Sequence, residues 1–146
     1  MTANIILSVG DGNETTVNLF GNGLLALHRN PDQLALLKAK PALITNAIEE
    51  FLRYDSSVQL SGRVALEDID DLGGKKIPKG ESVLCLLGSA NRDPAVYPDR
   101  PENLDITRTN VRPLSFGGGI HFCLGAQLAR IEAEIAIATL LRRFPD

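Results

Sequence analysis

A cysteine lies at the point where a glycine-rich loop is expected to turn into a helix. The loop runs from Phe116 to Gly125 with Cys123 near its end, and an alanine-rich helical pattern begins at Ala126. The first backbone N–H groups of a helix lack internal partners and carry partial positive charge. A thiolate placed there is stabilised, and glycines let the main chain approach a bulky partner closely. Such a thiolate suits a soft or intermediate metal ion.

The residues alone leave three interpretations of Cys123 open. It can be a small buried hydrophobe, which is the usual role of a free cysteine. It can be a redox nucleophile, although no second cysteine lies nearby to resolve a sulfenic acid or mixed disulfide. It can also be the single axial ligand of a haem iron, where the porphyrin supplies the other ligands.

The spacing within the loop favours the third interpretation. The pattern Phe-x-x-Gly-x-His-x-Cys-x-Gly resembles the haem-thiolate loop of the cytochrome P-450 family, and the resemblance continues through residues 128–130. It implies that Cys123 is the one protein ligand to the iron of haem b, where the thiolate donates electron density that promotes O–O cleavage. The residues that the resemblance places at the cofactor are Arg63, Phe116, Gly117, His121, Cys123 and Gly125.

Two of these residues are implied partners of the haem propionates. The segment around Arg63 resembles the family's strand that lends an arginine to a propionate, and the planar fork of arginine can bind both carboxylate oxygens. His121 matches another propionate partner. Without the resemblance, Arg63 would be interpreted as a surface residue of a strand and His121 as a polar residue of a loop.

The beginning of the chain predicts a long helix. The apolar run Ile5–Val9 reads as a strand or a buried helix, and the glycines at positions 10 and 12 are expected to distort a helix locally. The third glycine of a dinucleotide fingerprint is missing, which excludes that motif. The segment resembles the family's central helix on the oxygen face of haem, so Glu14 and Thr15 are the implied acid–threonine pair that delivers protons. Taken alone, the same residues also read as a surface helix.

A second helix carries a pair of opposite charges. Apolar residues recur at helical spacing from Ile44 to Leu52 and predict one buried stripe. Glu50 and Arg53 lie one turn apart on this helix and can form a surface pair worth little. In the family that the chain resembles, the pair is buried and braces the cysteine loop. Many relatives have arginine at the position of Asn103, so the charge of a third member of the cluster is missing here.

Other signals outline the remaining elements. Asn30 is expected to cap a short helix that begins with Pro31 and ends near Lys40, with Gln33 completing a capping box. The last helix is expected to carry an apolar stripe at helical spacing, with small alanines that permit close packing; the stripe consists of Leu128, Ile131, Ile135, Ala138 and Thr139. Residues 58–66 predict a strand, and residues 82–87 predict either a buried strand or the start of a helix, with Cys85 in the core. A proline-rich stretch, residues 89–104, predicts an irregular connection.

Composition narrows the class of protein. The length of 146 residues fits one domain, and a net charge of −3 gives no electrostatic reason to expect nucleic acid. Cys85 and Cys123 are far apart and form no metal-binding spacing, which suits a reducing cytoplasm. No apolar run approaches membrane-spanning length, so no membrane is expected as a partner.

Together these observations predict a mainly α fold with a small β region. The resemblance implies a partial cytochrome P-450 fold, from the central distal helix through the proximal cysteine loop and the following helix. It implies a single partial domain, residues 1–146, truncated at both ends. The implied activity is insertion of one oxygen atom into a small organic substrate, with electrons from a ferredoxin or flavoprotein that docks near Arg112 and Arg130. The alternative is a non-catalytic or weakly haem-binding fragment.

Overall fold

The chain folds into helices around a small core, with two separate strand pairs. The computed structural model describes the backbone of residues 2–144 and the side chains of residues 12–144. The described elements are helices α1 (Thr2–Arg29), α2 (Pro31–Ala39), α3 (Ile44–Tyr54), α4 (Leu87–Ala90) and α5 (Ala126–Arg143), and strands β1 (Ser61–Val64), β2 (Ile69–Leu72), β3 (Lys75–Ile77) and β4 (Ser82–Cys85). The predicted fold class, mainly α with a small β region, is confirmed.

The core lies where α1, α3 and α5 pack against one another. The predicted stripe of α3 is confirmed, since Ala47, Ile48, Phe51 and Leu52 are all buried. Residues three and four apart share one face of a helix, which is why this stripe could be read from the sequence. The same cluster includes Leu19 and Leu27 of α1, Ile106 just after the proline-rich stretch, and Ala133 and Ile137 of α5.

Helices α3 and α5 both come close to α1 at Gly23. A Cβ atom added there would lie 2.9 Å from Cδ2 of Phe51 and 3.4 Å from Cδ1 of Ile137. The ring of Phe51 is itself buried, so it cannot move aside freely. Gly23 therefore sets the distance at which α3 and α5 pack on α1.

Gly23→Ala should lower the free energy of unfolding by about 1–3 kcal/mol, the usual cost of overpacking a core. Gly21→Ala is the matched control, because nothing lies within 4 Å of its added Cβ. Alanine at that position should instead stabilise the helix by up to about 1 kcal/mol. Urea denaturation of both variants measures the difference, and equal stabilisation by the two substitutions would contradict the tight packing at Gly23.

Helix α5 buries a face of mostly small side chains and leaves most of its larger apolar stripe exposed. Leu128, Ile131 and Ile135 are exposed, whereas Ala126, Ala133 and Ile137 are buried. The helix has apolar residues on two faces, and the smaller face packs on the core because alanines permit a close approach to α1 and α3. The larger stripe remains an exposed apolar surface.

Helix α1 runs without interruption from Thr2 to Arg29, so the predicted long helix is confirmed, with the glycines at positions 10 and 12 inside it. Thr16 Oγ1 donates a hydrogen bond to Gly12 O at 2.8 Å within the helix. Such a bond satisfies the hydroxyl locally. The apolar run Ile5–Val9 is helical, and its side chains lie outside the described residues.

The strands form two antiparallel pairs, β1 with β4 and β2 with β3. Arg63 pairs with Val83, and Ser61 pairs with Cys85. The prediction of a buried second strand is wrong, because β4 and Cys85 are largely exposed. The second pair is a hairpin. Gly73 and Gly74 connect it with φ of 61° and 80°, a backbone region that glycine adopts readily.

Asn30 does not cap α2 as predicted. Its side-chain Nδ2 donates to Ala26 O at 2.8 Å, at the end of the preceding helix. Gln33, the expected partner in a capping box, instead accepts a hydrogen bond from Ile106 N through Oε1 at 3.0 Å. Only Pro31 takes the predicted position in the first turn. No helix among the described residues is both long and apolar enough to cross a membrane.

Candidate functional site

The cysteine loop begins with a tight change of direction at glycines. A short 3-10 turn, Leu114–Phe116, leads into Gly117, whose φ of 69° and ψ of −151° suit glycine almost alone. Gly119 has a φ of 63° and opens a second 3-10 turn that ends at His121. These glycines are therefore required by the path of the chain that carries Cys123.

Cys123 lies on the surface, three residues before α5. Its side chain is exposed, so the interpretation of a buried structural cysteine is wrong. The Cys123 amide donates to Phe116 O at 3.0 Å, which closes the loop, and Ala126 N donates to Cys123 O at 3.3 Å. A Cβ added to Gly125 would lie 3.9 Å from the Cys123 sulfur. The loop thus presents one thiol at the start of a helix.

Glu50 and Arg53 form a fully buried ion pair beneath this loop. Both side chains have 0% exposure, and Arg53 Nη2 lies 2.7 Å from Glu50 Oε1. The remaining Arg53 donors go to three backbone carbonyls, those of Asn91, Pro101 and Asn103, at 2.6–3.1 Å. All five N–H groups of the guanidinium are used, which is what a buried arginine needs to offset its lost hydration.

The third member of this cluster is Arg108 and not the side chain at position 103. Asn103 is exposed and contributes only its backbone oxygen. Arg108 Nε lies 3.4 Å from both carboxylate oxygens of Glu50, and Asp105 N donates to Glu50 at 2.9 Å. The sequence reading missed Arg108, since its partner lies 58 residues away and no local spacing marks it.

Asn91 connects the buried Glu50–Arg53 pair to the cysteine loop. Its side chain is buried, with Oδ1 accepting from Leu114 N at 2.7 Å and Nδ2 donating to Ser115 Oγ at 3.3 Å. Its backbone oxygen accepts from Arg53 at 3.1 Å. The buried ion pair therefore reaches the first residues of the loop through one fully hydrogen-bonded side chain.

Arg130 of α5 forms a second ion pair with Glu49 of α3. Nε and Nη2 of Arg130 each donate to one oxygen of Glu49, the second at 3.1 Å. The hydrogen bond from Arg130 to the Glu49 carboxylate raises the pKa of Arg130 above its usual value, while burial opposes this shift. The guanidinium also stacks on the ring of Phe116, 4.7 Å from its centre. Arg130 is thus engaged within the protein, unlike the exposed Arg112.

The other predicted site residues lie on exposed parts of the fold. Arg63 Nη1 donates to Ser61 Oγ at 2.6 Å and to Gly62 O at 2.7 Å, so its side chain is folded back along β1. His121 is exposed in the cysteine loop. On α1, Glu14 is exposed and Thr15 is half-buried.

The residues of the loop fit a haem iron better than a metal ion held by protein alone. Within the described side chains, no group of three or more His, Cys, Asp and Glu residues could hold a metal ion. One exposed thiol can serve a porphyrin-bound iron, which needs a single axial ligand. A Cβ added to Gly118 would have nothing within 4 Å, so the loop offers an open surface beside the thiol. Exposed Ile120 and Leu124 make that surface apolar.

Comparison with known proteins gives the same class. The sequence model described as Cytochrome P450 matches residues 1–145. The chain is 52% identical over 142 residues to the biotin biosynthesis cytochrome P450 of Bacillus subtilis (strain 168), covering 97% of this chain and 35% of that protein. It is 51% identical over 146 residues to cytochrome P450 CYP107DY1 of Priestia megaterium (strain ATCC 12872 / QMB1551), covering 100% of this chain and 35% of that one.

A solved structure superposes on almost the whole chain. The crystal structure of P450BioI in complex with an acyl carrier protein ligated to hexadec-9Z-enoic acid matches with a TM-score of 0.89 and 53% identity, over 92% of this chain and 35% of that one. The chain belongs to the cytochrome P450 family, whose members carry a haem iron. It has part of that family's fold and spans about a third of the length of these relatives.

Proposed function

We propose that the chain forms the proximal haem-binding part of a cytochrome P-450 monooxygenase, with Cys123 as the protein ligand to the iron of haem b. The observation that carries the proposal is the exposed thiol at the end of a glycine loop, held from below by the buried Glu50–Arg53 pair. Membership of the family supports it. A thiolate ligand increases electron density on the iron and favours O–O cleavage.

Each remaining site residue has a proposed role. Phe116, Gly117 and Gly125 shape the loop around the sulfur, and His121 hydrogen-bonds a propionate. Arg63 binds the other propionate once its exposed side chain leaves Ser61, whose hydroxyl is a weaker partner than a carboxylate.

On the oxygen face of the haem, opposite the face that Cys123 would bind, Glu14 and Thr15 are proposed to hold and pass a proton at the Thr15 hydroxyl. Bound haem would supply the activation of dioxygen, and one oxygen atom would enter a small organic substrate. The protein's part is to deliver protons and to keep the sulfur in place.

The proposed partner is a ferredoxin or flavoprotein electron donor. Arg112 is the better candidate for its docking surface, since the charge of Arg130 is compensated by Glu49. Both cysteines are free in the described structure, which suits a reducing compartment, and the cytoplasm is the proposed location.

A second candidate is that the chain alone, as one partial domain over residues 1–146, binds haem weakly or without catalysis. Large apolar side chains around the loop and sheet favour it, with exposures of 97% for Ile120, 103% for Leu124 and 85% for Leu66. Apolar surface of this kind usually packs against something. Without such cover, water reaches the haem face, and reduced oxygen is expected to escape as peroxide.

Haem titration and oxygen consumption separate the two candidates. We expect the chain to take up haem through Cys123 and, with a surrogate electron donor, to release most consumed oxygen as peroxide. Stoichiometric haem with product formed in proportion to oxygen would establish a complete monooxygenase. Absence of haem uptake would contradict the proposed function.

The same assay tests the proton relay. In a complex that forms product, Thr15→Ala should lower product per oxygen consumed by about 10²-fold, at the lower end of the usual contribution of a positioned proton donor. Thr16→Ala is the matched control, because it removes the same hydroxyl at the neighbouring position, where the side chain is buried. An equal effect of both variants would contradict the specific role of Thr15.

A further inference from the structure

Two neighbouring carboxylates of α3 are directed to different parts of the protein. Successive helical residues project about 100° apart. Glu50 accordingly binds Arg53, Arg108 and the backbone at Asp105, whereas Glu49 binds Arg130 of α5. The contacts of Glu50 belong to the buried Glu50–Arg53 pair, whereas the contact of Glu49 connects α3 to α5.

The contacts of Glu49 form a continuous path to the cysteine. Glu49 accepts two hydrogen bonds from Arg130, a bidentate geometry that fixes the plane of the guanidinium. The central carbon of the guanidinium, Cζ, lies over the ring of Phe116, 4.7 Å from its centre. The backbone oxygen of Phe116 then accepts the Cys123 N–H at 3.0 Å.

The ring of Phe116 is held from more than one direction. Arg130 covers it, and the ring of Phe122 meets it edge-to-face at 6.4 Å between centroids. A stacked guanidinium and an edge-on ring both restrict rotation of an aromatic side chain. Since Phe116 and Phe122 belong to the same loop as Cys123, fixing the ring fixes the loop.

We propose that Glu49 and Arg130 are positioning residues for the Cys123 sulfur and that they act through the ring of Phe116. The effect of the pair on the loop does not depend on a bound ligand, whereas its effect on iron ligation rests on the proposed function. The pair is also partly shielded, with side-chain exposures of 24% for Arg130 and 22% for Glu49, so water screens it less than a surface pair.

The proposal requires the fork of arginine and not merely a positive charge. Lysine would keep the charge near Glu49 but would lose the bidentate bond and the flat face over Phe116. The variants Glu49→Gln, Arg130→Gln and Arg130→Lys should therefore all loosen the loop. Glu132→Gln, at an exposed residue of the same helix, is the matched control.

Hydrogen exchange of the haem-free chain measures the loop directly. In the three variants, exchange of the Cys123 amide should accelerate roughly tenfold, equivalent to about 1.4 kcal/mol, while the buried amides of Ile48 and Phe51 keep their rates. Wild-type exchange at Cys123 would overturn the proposal. So would equal acceleration at Ile48, which indicates general destabilisation, or restored protection in Arg130→Lys, which indicates a charge effect alone.

The haem complex gives a second readout. In the three variants, a smaller fraction of the reduced, carbon-monoxide-bound complex should show the red-shifted Soret band of thiolate ligation, and Glu132→Gln should match wild type. Unchanged fractions in all three would overturn the positioning role. If wild type itself lacks the band, the assignment of Cys123 as iron ligand fails, and the exchange rates alone decide whether the pair holds the loop.

Discussion

Cys123→Ser should abolish the red-shifted Soret band of the reduced, carbon-monoxide-bound haem complex. The band reports a thiolate bound to iron, and a serine hydroxyl at the same position does not supply that ligand. Absorbance spectra after haem titration measure it. The effect should be complete, because Cys123 is the single thiol on the loop.

Cys85→Ser is a close control for this experiment. Cys85 is also a free, exposed cysteine, but it lies at the end of β4 and outside the loop. The band should persist in this variant. Persistence of the band in both variants, or its absence in wild type, would show that the ligand has been assigned to the wrong residue.

Arg53→Ala and Glu50→Ala should each reduce haem uptake and soluble yield together. Each substitution leaves the opposite charge buried without its main partner, which usually costs about 3–5 kcal/mol. The loss should reach the cysteine loop, since Arg53 holds Asn91 and Asn91 holds the loop at Leu114. Yield, haem content and urea denaturation of the soluble fraction measure the effect.

An exposed pair provides the comparison. Arg100 Nε lies 3.2 Å from Asp99 Oδ1, and the two side chains are 68% and 73% exposed. Arg100→Ala should change stability by less than about 1 kcal/mol, as surface pairs generally do, and should leave haem uptake intact. Normal haem content in Arg53→Ala or Glu50→Ala would refute the bracing role of the buried pair.

The sequence predicted best where a signal is local. The spacing around Cys123 and the Glu50–Arg53 turn of α3 each lie within a few residues, so the pattern itself contains the geometry. The apolar stripe of α3 was equally readable, because one face only is apolar. These elements also identified the family correctly.

The sequence predicted poorly where two faces or distant partners compete. Helix α5 is apolar on two sides, and the choice between them depends on the close approach at Gly23, which no pattern within α5 reveals. Asn30 had an equally good local partner in the preceding helix and bonds there instead of capping α2.

Distant partners were the other source of error. Arg108 and Glu50 are separated by 58 residues, and Arg130 and Glu49 by 81. Their residue types are ordinary for a surface, so only the folded chain identifies them as contacts. For the same reason, the pairing of Arg130 with Glu49 was not predicted.

The bonds from Arg53 to the carbonyls of Asn91, Pro101 and Asn103 have a consequence for how this region can vary. A main-chain oxygen is the same in every amino acid, so the guanidinium recognises the path of the chain and not its side chains. Substitutions at positions 101 and 103 can thus accumulate while the backbone keeps its course. An inserted or deleted residue would shift the carbonyls out of reach, so the buried guanidinium requires a fixed length of this stretch rather than a fixed composition.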